Sequence, residues 1–295
     1  MIAPMLAAPM SKADIRDWND WMMEEKFDGH RLIIEVTSRG EVTAWTRERK
    51  HSDVSGKSQL RRELPAYLVG ELKKFKPRGL SVTLDGELLV RLLDGRVGTS
   101  TDVTRNDLMG RLFFVAFDVL TTGAGSCMMQ SYEHRRAILA GLFDIAGDLN
   151  AVVLADARPC RDTEAVSLFC HEVWDRGGEG LILKNRNAQY EPGKRRAAFV
   201  KIKKLKTAEG IIVGFEPTRG TVMNRGPYAT VVLKLADGRV TSVKTKNDEV
   251  LAKLNRHKGS PETHPALGRV LRIEYQDDAA DGGVRHPRGE RWEDE

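Results

Sequence analysis

Three cysteines in 295 residues are too few, and odd in number, for a disulfide framework. Cys127, Cys160 and Cys170 form no C-x-x-C pair, so a structural zinc site is excluded as well, and the thiols read as reduced and intracellular. Long apolar runs are also missing. No stretch approaches the roughly 18 consecutive apolar residues of a membrane span. The apolar start, residues 1–10, lacks the basic region of a secretory signal. A cytoplasmic chain with no membrane contact is the expectation. Internal repeats and low-complexity segments are absent. Nor does one sign of charge dominate: 47 Lys and Arg face 42 Asp and Glu, a net +5 that permits a polyanionic partner without requiring one.

What is present is an ordinary globular composition, 41% hydrophobic and 30% charged, in a chain long enough for two domains. Residues 21–45 read as strands: 21–24 runs into a turn around Lys26, and 31–36 and 41–45 flank Ser38-Arg39-Gly40. Leu60, Leu64, Leu68 and Leu72, four apart, predict a helix over 60–75. Strands are expected at 81–90, 112–120 and 180–184, with helices at 131–142 and 163–175. Strands and helices mix without the regular alternation of a doubly wound sheet. This points to an α+β domain with substantial antiparallel pairing. After Lys206 the texture changes to short strands at 210–215, 229–235, 240–244 and 269–275, with one helix at 248–254. That suits a small closed β-barrel of the OB kind, although other small barrels would read the same way. The expected division is 1–204 and 205–295.

The chemistry begins at Glu24-Glu25-Lys26-Phe27-Asp28-Gly29-His30-Arg31. A lysine near its ordinary pKa of about 10.4 is protonated and attacks nothing. Burial and neighbouring cations disfavour the ammonium form and make lysine a nucleophile. Alone, the segment reads more readily as a solvated charged turn. In Leu84-Asp85-Gly86-Glu87-Leu88, a tight turn precedes a carboxylate on an apolar strand, and Glu179 leads the strand at 180–184. Each carboxylate by itself is more often a solvated turn residue. Two feeding one site suit Mg²⁺, which takes oxygen ligands and bridges to phosphates. In 198–203, strand alternation puts Lys201 and Lys203 on one face, either aimed at an anion or guarding an edge.

Taken in order, Lys-x-Asp-Gly-x-Arg from Lys26, Asp-Gly-Glu from Asp85, Phe-Asp-x-Leu from Phe117, Glu-Gly-x-x-x-Lys from Glu179 and Lys-x-Lys from Lys201 resemble the motifs of the covalent nucleotidyltransferases. That superfamily contains DNA ligases, RNA ligases and mRNA capping enzymes. The spacing is most similar to the compact ATP-dependent DNA ligases of bacteriophages, the T7-like type, and the resemblance runs from Glu24 to about Arg288. It implies an adenylation domain with antiparallel sheets followed by an OB-fold domain. It also implies ATP with Mg²⁺, Mn²⁺ as a substitute, and a monomer acting on nicked duplex DNA in the cytoplasm, or in the host cytoplasm for a phage protein.

The resemblance also implies roles. Lys26 is the nucleophile that becomes lysyl-AMP. Glu24 reads the adenine amino group, and Phe117 and Ile182 cover the two faces of the base. Arg31 and Arg47 contact ribose and the nick phosphate. Glu87 and Glu179 hold ribose and metal, and Lys201 and Lys203 grip the α-phosphate. Arg285 and Arg288, in Val284-Arg285-His286-Pro287-Arg288, match the basic ending that orients pyrophosphate, although the tail after it is short and acidic. The run 194–206 contains no acid and is expected to line the DNA groove through Arg195 and Arg196, with the OB domain closing over the opposite side. An RNA-joining or capping enzyme would share these motifs. An NAD-dependent ligase fits less well, since little chain precedes Lys26 and there is no cysteine quartet. A non-catalytic OB-type clamp would explain the barrel but leave Lys26, Glu87 and Glu179 without a reason.

Overall fold

The computed structural model describes the chain except residues 1, 48, 51–56, 59, 76–78, 217–225, 246, 276, 279–283, 286 and 293–295, and gives backbone alone at 49–50, 57–58, 277–278, 285 and 288–292. The chain divides into two compact units, Met1–Ile202 and Lys203–Glu295.

Unit one is built on two sheets. The first has the order Leu6–Pro9, Arg195–Lys203, Gly180–Asn185, Trp21–Lys26, Ala157–Pro159. The second has the order Val152–Leu154, Leu112–Thr122, Val82–Val90, His30–Val36, Val42–Thr46. Most neighbours are antiparallel, as the mixed element order suggested. Val82–Val90 and Leu112–Thr122 are almost continuously buried, which is why they read as unbroken apolar runs. One face of this second sheet packs on α1 (Ala66–Leu72) and α2 (Tyr132–Ala146), where Leu68, Leu72 and Leu139 meet Leu84, Leu88 and Phe114. The other face meets the first sheet through Met5, Ile33, Leu120, Tyr132, Tyr190 and Phe199. The outer side of the first sheet is covered by α3 (Thr163–Asp175), with Val166, Phe169 and Val173 against Trp21, Met23, Leu181 and Leu183.

The helix ends follow from their caps. Ser131 accepts from the His134 N–H at the start of α2, and Gly147 ends it at φ 72°. Asp162 accepts from Ala165 N–H and starts α3. The helix expected over 60–75 is shorter. Pro65 is its N-cap, and Leu60 and Arg62 instead exchange backbone hydrogen bonds with Thr46 and Ala44 at 2.8 Å each. Leu60 therefore lies outside the core stripe. The tight turn expected at Asp85-Gly86 is also absent, because both residues lie inside the Val82–Val90 strand. A Cβ on Gly86 would stand 2.3 Å from Phe114 Cζ and 2.4 Å from the Val115 carbonyl oxygen. Close packing, and no change of direction, is what requires glycine there.

Unit two is one antiparallel sheet in the order Val240–Lys244, Thr230–Leu235, Lys206–Phe215, Val270–Tyr275, Arg288–Trp292. The two edge strands come together, so the sheet curls on itself as an OB-type barrel does. Ile212, Val231, Leu233, Val243, Leu271 and Ile273 fill it, and α4 (Asp248–Leu254) adds Val250 and Leu254. The expected α+β class with an OB-like second unit is what the fold shows.

Candidate active site

Strand register assembles the site in unit one. In the first sheet Lys26 stands opposite Gly180, Glu24 opposite Ile182, and Met22 opposite Lys184. Trp21, Met23, Leu181 and Leu183 turn toward α3, so alternation turns Glu24, Lys26, Ile182 and Lys184 toward the second sheet. There Arg31 stands opposite Glu87 and Ile33 opposite Asp85. Phe117 breaks the pattern. The partner of Asp85 is Asp118 and that of Gly86 is Ala116, which leaves Phe117 as the extra residue of a bulge. A bulge re-aims the side chain it carries, here into the space between the sheets.

Lys26 Nζ donates a short hydrogen bond to Glu179 Oε2 and a longer one, 3.4 Å, to the Phe27 carbonyl. The Lys26 side chain is 21% exposed and that of Glu179 only 7%, so the amine is reachable while its acceptor is buried. Burial pushes the Glu87 carboxyl up to about 7; Arg31 and Lys26 act against this, and Asp85 and Glu179 add to it. Three carboxylates and two cations thus share one field.

Deeper in, Glu24 is 1% exposed. Its Oε1 accepts from the Tyr132 hydroxyl, and its Oε2 pairs with Lys184 Nζ at 2.7 Å. Lys184 lies over the rings of Phe117, Tyr132 and Phe199 at 4.7, 4.8 and 5.4 Å. Burial lowers the Lys184 pKa, while Glu24 and Asp118 resist the shift. A second relay of the same kind runs from the Tyr190 hydroxyl to Asp85 Oδ2 at 2.6 Å, and from Asp85 to Arg31. Arg31 Nε and Nη2 donate to the two Asp85 oxygens at 2.5 and 2.7 Å, and the guanidinium stacks 4.4 Å from the Phe117 ring centroid. Burial works against the Arg31 charge, but the attraction and hydrogen bonds of Asp85 prevail and hold its pKa above the ordinary value.

The ordered motifs thus bring together a reachable amine on a buried carboxylate, with a ring and a fixed carboxylate two residues deeper. Residues 4–203 match the model of the ATP dependent DNA ligase domain. The chain belongs to that family. Its similarity to a multifunctional non-homologous end joining protein LigD of Mycolicibacterium smegmatis is 29% identity over 223 residues, covering 74% of this chain and 26% of that protein. A probable DNA ligase of Nocardioides sp. is 27% identical over 304 residues, 97% of this chain and 55% of that one. The chain therefore spans about a quarter of the length of that LigD protein and about half of the Nocardioides ligase. A Lig E DNA ligase structure superposes with a TM-score of 0.70 at 19% identity, covering 99% of both chains. The ligase domain of Mycobacterium tuberculosis LigD does so at 0.57 and 23% identity, covering 98% of this chain and 95% of that one. The fold is shared with both.

Other residues expected in this ligase-family site stand at varied places. Ile182 is half-buried across from Glu24, and Arg47 is exposed just beyond the Val42–Thr46 strand. Lys201 and Lys203 are half-buried, two apart, on the strand beside Gly180–Asn185. Arg195 donates to the Ala7 carbonyl. Arg196 is held by Glu191 through three contacts of 2.7 to 2.9 Å. The run without acids in sequence thus acquires one in space, and the Arg196 charge is compensated. Arg285 and Arg288 lie in short strands of unit two, and their side chains fall outside the described residues. Among the described residues no three of His, Cys, Asp or Glu gather as a metal cluster. Sequence reasoning gave no role to Asp85, Tyr132, Lys184 or Tyr190. Asp85 and Lys184 sat inside quoted motifs, whereas nothing local marks the tyrosines.

Proposed function

We propose that this chain seals nicks in duplex DNA in three steps. Lys26 Nζ, having lost a proton, attacks the α-phosphorus of ATP: a P–N bond forms, the bond to pyrophosphate breaks, and lysyl-AMP remains. AMP then passes to the 5′-phosphate at the nick, and the 3′-hydroxyl displaces it to form the phosphodiester. The observation that carries this reading is the placement of Lys26 and Glu24 on one face of one strand, about 7 Å apart. One end offers a nucleophile and the other a fixed acceptor for a base.

Glu179 receives the Lys26 N–H and holds the amine in place. Glu24 accepts from the adenine amino group, with Phe117 and Ile182 against the base. Arg31, oriented by Asp85, meets ribose or phosphate oxygens. Lys201 and Lys203 attract the α-phosphate. Glu87 and Glu179 fit Mg²⁺, or Mn²⁺ in its place, because the Glu179 charge adds to the raised proton affinity of Glu87, a strain that a cation would relieve while phosphate and water complete its shell. Bound there, the ion would neutralise charge developing on the phosphates. Arg47, Arg195 and Arg196 would meet DNA, Arg285 and Arg288 the pyrophosphate, and the protein would work as a cytoplasmic monomer with domains 1–204 and 205–295.

The test is intact mass after incubation with ATP and Mg²⁺, then after a chase with nicked duplex. An AMP-sized gain mapped to Lys26, discharged by the nick as it is sealed and lost in Lys26→Ala, is the expected result. Labelling by GTP in preference to ATP would favour capping chemistry. No adduct with ATP, GTP or NAD, after pyrophosphate has stripped any bound AMP, would overturn the reading in favour of a binding module.

A further inference from the structure

Tyr132 opens α2 and belongs to none of the ordered motifs. It has no exposed surface, yet it is more than a core ring. Its hydroxyl donates to Glu24 Oε1, its ring meets Phe199 edge-on at 6.0 Å, and Lys184 lies 4.8 Å from the ring centroid. Burial and the Glu24 charge hold the hydroxyl well above its ordinary pKa, so it keeps its proton and serves Glu24 as a donor.

A carboxylate held only by a lysine is loosely aimed, because an ammonium is a compact point charge that an oxygen meets from many directions. A second donor on the other oxygen fixes the carboxylate plane. Glu24 has this pair: Tyr132 on Oε1 and Lys184 on Oε2. A carboxylate offers about four lone-pair positions and no proton. The positions left open can therefore only accept, and they point in set directions. A base with an exocyclic amino group at that place gains a hydrogen bond, whereas a base with a carbonyl there puts two acceptors together.

We propose that Tyr132 is a positioning residue that sets the choice of nucleobase, by holding Glu24 as a rigid acceptor that favours a 6-aminopurine over a 6-oxopurine. This rests on the nick-sealing reading, in which Glu24 faces the base.

The experiment compares lysyl-nucleotide formation on the full chain with ATP and with ITP, whose base carries a 6-oxo group and an N1–H in place of the 6-amino group and the bare N1. It measures kcat and KM for the wild type, Tyr132→Phe, Glu24→Gln and the double variant. Tyr132→Phe keeps the ring and removes one hydrogen bond to a charged acceptor, so the ATP/ITP ratio of kcat/KM should narrow by about tenfold or more, mainly through a higher KM for ATP. In the Glu24→Gln background the same change should leave the ratio where it is, since Tyr132 acts through Glu24. An equal loss for both nucleotides, or an unchanged ratio, would overturn the proposal and leave Tyr132 a packing residue. Should Tyr132→Phe fail to fold, the wild type still decides. Use should fall from ATP to the triphosphate of purine riboside, which lacks the 6-substituent but keeps the bare N1; purine riboside triphosphate used as well as ATP would refute Glu24 as a fixed acceptor for the 6-amino group. If the wild type takes no nucleotide, the nick-sealing reading and this one fall together. If it takes ATP at Lys26 but Tyr132→Phe does not alter the ratio, only this one does.

Discussion

Asp118→Asn should cost unit one about 3–5 kcal/mol, the range for removing one member of a buried ion pair. Arg135 is fully buried and Asp118 is 1% exposed. The guanidinium donates to the two Asp118 oxygens at 2.8 and 2.9 Å, to the Gln130 carbonyl at 2.7 Å and to the Ala188 carbonyl at 3.1 Å. One cation thus ties α2 to the Leu112–Thr122 strand and to the loop that leads into Arg195–Lys203. Asparagine has nearly the same shape but leaves that cation buried without a counter-charge, and its amide turns a donor toward the guanidinium. By contrast, Arg196→Ala removes an exposed pair with Glu191 and should cost about 0–1 kcal/mol. Urea unfolding followed by tryptophan fluorescence reads the difference, because Trp18, Trp21, Trp45 and Trp174 lie in unit one and only Trp292 in unit two. With a slope of about 2 kcal/mol per molar urea, the Asp118→Asn midpoint should fall by about 2 M. A loss no larger than that of Arg196→Ala would refute the reasoning, since it would mean that Arg135 finds water or another anion.

Gly29→Ala places a Cβ 2.3 Å from the Leu88 carbonyl oxygen, backbone that cannot step aside, so the turn after Lys26 must shift. Lysyl-AMP formation should drop by about 100-fold with the fold intact by circular dichroism, and an unchanged rate would contradict the geometry. In unit two His264 is buried; its Nδ1 accepts from Ala266 N–H at 3.0 Å and its Nε2 meets the Leu254 carbonyl at 2.9 Å. That pairing fixes the neutral Nε2–H tautomer, and burial, helped by His257, lowers the pKa. With the folded value depressed, the stability this histidine contributes is present above its unfolded pKa of about 6.5 and is lost as pH falls through that value toward the folded one. Nitrogen-15 shifts of the ring across pH 8 to 5 should show the neutral tautomer persisting below 6.5, and an ordinary titration would count against it.

The fold was legible where local chemistry and tertiary packing agree. α3 runs over the residues that the sequence suggested because Asp162 caps it and its apolar stripe is what the first sheet covers. The leucines at 60 to 72 show the opposite case. Their spacing is helical, but Pro65 and the backbone of Thr46 and Ala44 claim the first third of the segment. Asp85-Gly86 misled in another way: Asp-Gly is turn-like in composition, while Gly86 is glycine because Phe114 and Val115 press on it. The shared face of Lys26, Glu24 and Ile182 was readable because strand alternation acts along the chain. Tyr132 and Tyr190 were not. Their hydroxyls reach carboxylates 108 and 105 residues away, and no local period records such a contact. Glu191 escaped for a different reason: it lies just outside the basic run, five residues before Arg196, and folds back on it.

The two tyrosine relays also show how rigidity is distributed. Arg31 gives Nε–H and one Nη2–H to Asp85, which leaves three of its five N–H donors in a fixed plane on the edge turned from Asp85. Its charge is balanced, but its donors remain aimed. Lys184 is similarly tethered, with Glu24 on its ammonium and three rings around it. Both cations border Phe117, so its ring is clamped from two directions. Lys26 is held differently, by one buried carboxylate at the end of a flexible, partly exposed chain. In the proposed reaction, a nucleophile that must accept AMP from one substrate and present it to another needs that freedom. The proposed base end, at Glu24, does not, because recognition there would depend on not moving. Loosening a relay should therefore impair the choice of nucleotide before it impairs the nucleophile. That order of effects separates the roles of Tyr132 and Glu179.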